Sequence, residues 1–347
     1  MGHPFRILCL DGGGIRGAFS AQILAAIDKD VLDGKRLVDH RDLIAGTSTG
    51  GLIALALAFG KTPREIVGFY RNFGRTLFAN RWLRKFEQVL FAPYSQAKLE
   101  QAISGFIEGN HTLAHAQKRL VLTSYNADAG NVHVIKHLLP QDTKTVTERL
   151  ALLLPKKEND EKVREALLKY AILDTIAVKD AGAATAAAPT YFPAKRLKQL
   201  EGDEFLDGGV WANVPVWAAV AEAIGPLGQS FDDLRVLSVG TRFEKLEIGL
   251  ARRVGGWVPW NVGTLTLLMN AQAAGAVGSA RWCLGRHFLR LDDKRTESEP
   301  RSDPSISLDD SRTIGDLVRR GEVVVDREKS DIREFLREWM ESGSATA

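Results

Sequence analysis

Two cysteines, Cys9 and Cys283, are all that occur in 347 residues. That excludes a disulfide framework and the paired spacing of a structural zinc site. Cys9 lies inside an apolar run and reads as a small core residue. No calcium loop or other metal-ligand cluster appears, so neither metal nor cofactor is expected. Long apolar runs are also missing. The longest, around 52–59 and 265–277, are too short or too rich in small and polar residues to span a bilayer. The first residues lack the basic region, apolar core and cleavage site of a secretory signal. Arg6 stands where an N-myristoylation signal needs Ser or Thr. Charge of either sign is not in excess: 46 basic residues face 43 acidic ones, a formal net charge of +3. That balance carries no footprint of a nucleic acid polymer. Internal repeats are absent. These absences lead to the expectation of a cytoplasmic protein of a reducing compartment, meeting membranes only at their surface.

What remains is ordinary for a folded domain, with 45% apolar and 26% charged residues. The length suits one large α/β domain or two smaller ones. Phe5–Leu10 is a compact apolar run and predicts a buried strand. A glycine-rich loop, 11–17, follows it. Then Phe19, Ile23, Ala26 and Ile27 recur at helical spacing. Leu43–Ala45 predicts a second strand and Leu52–Gly60 a second helix. Pro63 after Thr62 suits the first position of a third helix. Leu120–Tyr125 and Val132–Ile135 predict strands around a turn at 128–131, and Leu234–Val239 another strand. Alternating strands and helices point to a mainly parallel sheet covered on both faces.

Residues 141–170 shift to high charge and predict an inserted helical segment with solvated faces. Residues 293–312 are polar, with Pro300 and Pro304, and predict a mobile loop. The last helix repeats Ile332, Phe335, Leu336, Trp339 and Met340, a stripe that would dock on the domain's own core. The tail, 342–347, predicts disorder.

The chemistry is concentrated in three places. Gly46-Thr47-Ser48-Thr49-Gly50 lies between a strand and a helix, the setting of a G-x-S-x-G nucleophile elbow. The turn must push one side chain, Ser48, into an exposed and strained position, and glycines on both sides let neighbouring backbone approach. Asp11-Gly12-Gly13-Gly14-Ile15-Arg16-Gly17 offers N–H groups at a helix N-terminus, unobstructed by Cβ atoms. Those donors suit the oxyanion that forms when a serine attacks an ester carbonyl. Arg16 would brace the loop or add positive charge. The same stretch also satisfies G-x-G-x-x-G, with Asp39 as the acidic residue of a dinucleotide site. The serine elbow on the next strand has no place in such a site. Asp207-Gly208-Gly209 follows Phe205-Leu206 and supplies a carboxylate at a strand end as the base that serine needs. Of the seven histidines, His287 alone lies where chain order would allow a Ser–Asp–His triad, but no glycine-rich loop presents it.

These motifs, with Ala184-Thr185-Ala186-Ala187-Ala188-Pro189-Thr190-Tyr191-Phe192 between them, closely resemble those of the patatin-like phospholipases. The matching order runs from residue 5 to about 290. The resemblance implies a three-layer α/β/α hydrolase with a helical C-terminal extension: a catalytic domain over 1–292, including the 141–170 insertion, and an extension over 293–347. It implies a Ser–Asp dyad without catalytic histidine, with Ser48 as nucleophile, Asp207 as base and Gly12, Gly13 and Gly14 as the oxyanion hole. It also implies calcium-independent cleavage of fatty acyl esters in membrane phospholipids. The compact form is similar to phospholipase effectors of bacterial CBASS antiphage systems, which implies a cyclic oligonucleotide activator. A catalytically silent ligand-sensing module and a soluble carboxylesterase are the alternatives.

Two segments suit contact with the inner membrane surface. Arg71, Arg75, Arg81, Arg84 and Lys85 interleave with Phe73, Phe78, Trp82 and Phe86. Further along, Arg252 and Arg253 precede Trp257 and Trp260.

Overall fold

A computed structural model describes residues 4–77, 94–153, 159–242, 257–293 and 311–341. Eight strands form one sheet in the order β5-β6-β3-β2-β1-β7-β8, with β4 also paired to β3. They are β1 (Phe5–Leu10), β2 (Leu43–Thr47), β3 (Arg119–Asn126), β4 (Asn131–His137), β5 (Lys195–Arg196), β6 (Glu204–Asp207), β7 (Leu234–Val239) and β8 (Phe288–Leu291). The pairs β1–β2, β1–β7, β2–β3 and β7–β8 are parallel; β4, β5 and β6 join antiparallel.

Helices cover both faces. They are α1 (Gly17–Ala26), α2 (Thr49–Ala58), α3 (Pro63–Leu77), α4 (Gln96–Ile107), α5 (Thr143–Leu153), α6 (Asn159–Asp174), α7 (Val178–Thr185), α8 (Gly209–Ala212), α9 (Val216–Ile224), α10 (Trp257–Leu284), α11 (Ile314–Arg327) and α12 (Lys329–Glu341). Side chains alternate between the faces of a strand, and the core divides accordingly. Leu8, Leu10, Ile44, Leu237 and Val239 enter a core shared with α1, α2, α7, α11 and α12. Ile7, Cys9, Leu43, Ala45 and Val236 enter a second core shared with α9 and α10. Continuous apolar strands are what a sheet covered twice requires.

The third helix starts as its sequence predicts. The Thr62 hydroxyl accepts the Glu65 N–H at 3.3 Å, and Glu65 Oε2 accepts the Thr62 N–H at 2.7 Å, a capping box ahead of Pro63. The charged insertion is helical, as α5 and α6, but Leu152, Leu153 and Leu168 are exposed on it. At the C-terminal end, Ile332, Leu336 and Trp339 are buried, so the stripe docks on the core. Trp339 lies against the buried Arg41 guanidinium, 3.3 Å from ring centroid to Cζ. The helices α4, α7, α9, α10 and α11 have no counterpart in the sequence reading, and α11 shows how closely one of them docks. It packs close to α1 at Gly321, where an added Cβ would come within 3.0 Å of the Phe19 carbonyl. The expectations for residues 78–86, 252–253, most of the 293–312 loop and the 342–347 tail lie outside the described residues. The same holds for the side chains of Phe73, Arg75, Trp257 and Trp260.

Candidate active site

One edge of β3 brings the serine and the carboxylate together. β4 occupies the other edge over Leu120–Asn126. On the shared edge β2 pairs with Arg119–Thr123 and β6 with Ser124–Asn126. Thr47, the last residue of β2, faces Thr123, while Asp207, the last residue of β6, faces Ser124. Two strand ends that are 160 positions apart in the chain therefore meet at consecutive positions of one neighbour.

Ser48 follows Thr47 directly, with φ 54° and ψ −122°. A non-glycine residue in such a conformation costs about 1–3 kcal/mol and needs surrounding structure to hold it. The holders are visible. The Ser48 N–H donates to Thr185 Oγ1 at 3.1 Å, and that hydroxyl donates to the Thr123 carbonyl at 2.7 Å. A Cβ on Gly46 would collide with the Gly50 carbonyl, and one on Gly50 with the carbonyl of Leu10. Both glycines of the elbow are thus required by close approach of backbone.

The Asp207 carboxylate is buried, takes the Gly209 N–H on Oδ1 at 2.7 Å, and lies close enough to the Ser48 hydroxyl for that group to lower its pKa. Burial pushes its pKa up to about 6, against the pull of the Ser48 hydroxyl and the Gly209 N–H. Gly208 makes the turn possible, since a Cβ there would collide with the backbone of Thr123.

The glycine loop leaves β1 beside the serine. An added Cβ at Gly12 would lie 3.4 Å from Ser48 Cβ. The Gly12 N–H, however, donates to the Asn213 carbonyl at 3.0 Å. It is spent there, which departs from a hole of three glycine donors. Among the described residues no protein acceptor takes the N–H of Gly13 or Gly14. Gly14 has φ 56°, a conformation that suits glycine. Arg16 braces the loop from behind, donating from Nε to the Gly13 carbonyl at 3.3 Å and from Nη1 to the Arg242 carbonyl at 3.5 Å.

His287 is not part of this cluster. It precedes β8 in register with Arg235 and Arg6, at the opening ends of β7 and β1, whereas Ser48 lies past their far ends. Five to six residues of strand separate the two positions, about 16–20 Å. His133 faces Ser124 on β4, which puts it two strands from Asp207, about 10 Å, and it packs edge-on against Phe205. Asp39 lies inside a short 3-10 helix, Leu37–His40, rather than at a strand end, so the dinucleotide arrangement is absent.

Three site residues escaped the sequence reading. Thr185 anchors the elbow from inside the 184–192 motif, which the sequence marked without a role. Asn213, in the loop after Asp207, receives the Gly12 N–H. Thr241 donates its hydroxyl hydrogen to the Gly12 carbonyl at 2.7 Å.

The doubly covered sheet and the serine elbow define a three-layer α/β/α hydrolase. The family model for patatin-like phospholipases matches residues 8–220, and the chain belongs to that family. It is 28% identical to a cGAMP-activated phospholipase of Vibrio cholerae, over 92% of this chain and 90% of the relative. A cGAMP-activated phospholipase of Pseudomonas aeruginosa is 29% identical, over 85% and 80%. Patatin-like protein 2 of Arabidopsis thaliana is 32% identical, over 74% and 64%. The protein is a lipid acyl hydrolase of the phospholipase type.

Gly13 gives the sharpest test of the loop. A Cβ there would drive into the Thr241 side chain that holds the Gly12 carbonyl. Gly13→Ala should lower turnover by about 100- to 1000-fold, as the loss of an oxyanion donor does. Circular dichroism should still report a folded protein. Near-normal turnover in that folded variant would remove the loop from the site.

Proposed function

We propose that Ser48 and Asp207 form a catalytic dyad that cleaves fatty acyl esters of membrane phospholipids. The observation that carries this reading is the meeting of the Ser48 elbow and the buried Asp207 carboxylate at consecutive positions of β3, close enough for the serine hydroxyl to act on the carboxylate's pKa. With a pKa near 6, Asp207 is mostly ionised at neutral pH yet far more basic than an exposed aspartate. Asp207 takes the Ser48 proton as Oγ attacks the acyl carbonyl. The oxyanion rests on the N–H groups of Gly13 and Gly14, close to the positive N-terminal end of α2. The lysophospholipid oxygen leaves with the proton that Asp207 returns. Water, deprotonated by the same carboxylate, then releases the fatty acid from Ser48.

Access from a bilayer is supported beside the dyad. Val210, three residues past Asp207, and Leu268 on α10 are exposed, and Met269 next to Leu268 reaches Gly209. No helix among the described residues is long and apolar enough to cross a membrane. The enzyme would then work from the cytoplasm, at the surface of the inner membrane. An intact serine, carboxylate and glycine loop speak against a silent sensing module. The apolar rim speaks against a purely soluble esterase.

The relatives that align over most of this chain are named for activation by cGAMP. We infer the same class of control here, a cyclic oligonucleotide that binds the active arrangement better than the resting one, and with it an antiphage role.

Ser48→Ala and Asp207→Asn should each abolish release of fatty acid from liposomes while the protein stays folded. His287→Ala should keep activity close to wild type. A folded His287→Ala protein as inactive as Ser48→Ala would contradict the dyad. For the control, liposome hydrolysis should rise at least about tenfold with one cyclic di- or trinucleotide, a differential affinity of about 1.4 kcal/mol between the two states. Full activity without nucleotide, and no heat of binding across a panel of them, would contradict it.

A further inference from the structure

A buried ion network stands behind the glycine loop. Asp11, directly before Gly12, follows β1 with its N–H on the Val239 carbonyl and is 3% exposed. Its Oδ2 accepts Arg290 Nη2 at 2.5 Å. Arg290 comes from β8, with β7 lying between that strand and β1. Its guanidinium also donates to Asp292 Oδ2 and to Ser238 Oγ, both at 2.7 Å. Cys9, Ser238 and Arg290 are aligned across the three strands. The arginine side chain thus lies across the end of β7 to reach the end of β1. Gly240 leaves the room for it: a Cβ there would collide with the Asp292 carboxylate and come within 2.6 Å of Arg290 Nη2.

The second arm of the network reaches the loop through β7. Asp292 Oδ1 accepts the N–H of Arg242 at 2.9 Å and of Asp293 at 3.0 Å. That pins residues 240–242, including Arg242 at φ 69°. Thr241 in this segment donates to the Gly12 carbonyl, and its side chain fills the space beside Gly13. Asp293 in turn pairs with Arg320 of α11 at 3.0 Å, which ties the C-terminal helices to the same network. Arg290 therefore touches the oxyanion loop twice, through Asp11 and through Asp292 with Thr241. Ser238, Thr241, Arg290 and Asp292 all lie beyond residue 220, where the family match ends.

We propose that Arg290 is the positioning residue of the glycine loop, holding the Gly13 and Gly14 N–H groups in the orientation that receives the acyl oxyanion. The proposal rests on the hydrolytic reading of Ser48 and the loop given above. Removing the guanidinium leaves two buried carboxylates, Asp11 and Asp292, without the cation between them. Their repulsion and their search for new partners then move the loop. Lysine keeps the charge but lacks the planar fork that meets Asp11, Asp292 and Ser238 together.

The test uses the full chain and a short soluble ester, so that membrane binding plays no part. Arg290→Gln should lower kcat about 100-fold while KM stays within about threefold, because the loop acts only as charge develops. Fluorophosphonate labelling of Ser48 should slow in parallel. Arg290→Lys should recover the melting temperature but not kcat. A folded Arg290→Gln protein with kcat within about threefold of wild type would overturn the proposal. A lowered melting temperature with unchanged kcat would do the same, since that is the signature of a structural role alone. If Arg290→Gln does not fold, Asp292→Asn reads the second arm: about a tenfold loss of kcat supports the proposal and an unchanged kcat overturns it. Ser48→Ala, run alongside, separates the two layers. An active Ser48→Ala protein overturns the hydrolytic reading and the role of Arg290 with it. An inactive one beside an unimpaired Arg290→Gln overturns the positioning role only.

Discussion

The edge of β3 that β2 and β6 divide between them sets the distance from serine to carboxylate. β2 stops at Thr47 and β6 ends at Asp207, on consecutive residues of β3. Strand spacing then places the residue after Thr47 beside the carboxylate. The glycines follow from this crowding. Gly46, Gly50 and Gly208 each lie where a Cβ would strike backbone. Thr123 serves all three structures: it pairs with Thr47, accepts the Thr185 hydroxyl through its carbonyl, and lies under Gly208. Because the neighbour is a strand interior rather than a loop, the proposed dyad is built on hydrogen-bonded sheet.

The arrangement carries a stability cost. The Asp207 carboxyl has a pKa near 6 in the folded protein, against 3.8 in a solvated chain, and burial is the chief reason. Folding therefore favours the protonated form. The group costs nothing below the unfolded value, and its cost grows between the two values and is complete above about pH 6, at about 3 kcal/mol. The strained backbone of Ser48 adds to it. Two cores, one on each face of the sheet, offset both. The C-terminal helices belong to that compensation, since Leu317, Val324, Leu336 and Trp339 enter the larger core.

Sequence made the local parts of this site legible and left the long-range parts hidden. The elbow, the glycine loop and the turn after Asp207 are each dictated by a few neighbouring residues, and glycine at fixed offsets betrays them. Phe5–Leu10 and Leu234–Val239 were readable as strands because a sheet buried on both faces needs unbroken apolar runs. Asn213, Thr241, Asp292 and Arg290 act on partners 50 to 279 positions away, and no periodicity records such a pairing. For the same reason the Gly12 N–H read as a free donor until the Asn213 carbonyl appeared beside it. His287 misleads in the opposite way: it has the chain order of a triad and lies at the wrong end of the sheet. The α11 helix was missed although Ile314, Leu317, Val318, Val324 and Val325 recur at helical spacing, because the polar stretch before it reads as running up to its start.

The direct test of the dyad is the pH dependence of the reaction of Ser48 with a fluorophosphonate, which needs no lipid surface. A carboxylate acting as the base must be ionised, so the second-order labelling rate should rise tenfold per pH unit from low pH and level off near pH 6. In Asp207→Asn the remaining slow labelling should lose that transition. A labelling rate that does not change between pH 5 and pH 8, or a transition near pH 6 that persists in Asp207→Asn, would contradict the assignment of Asp207 as the base.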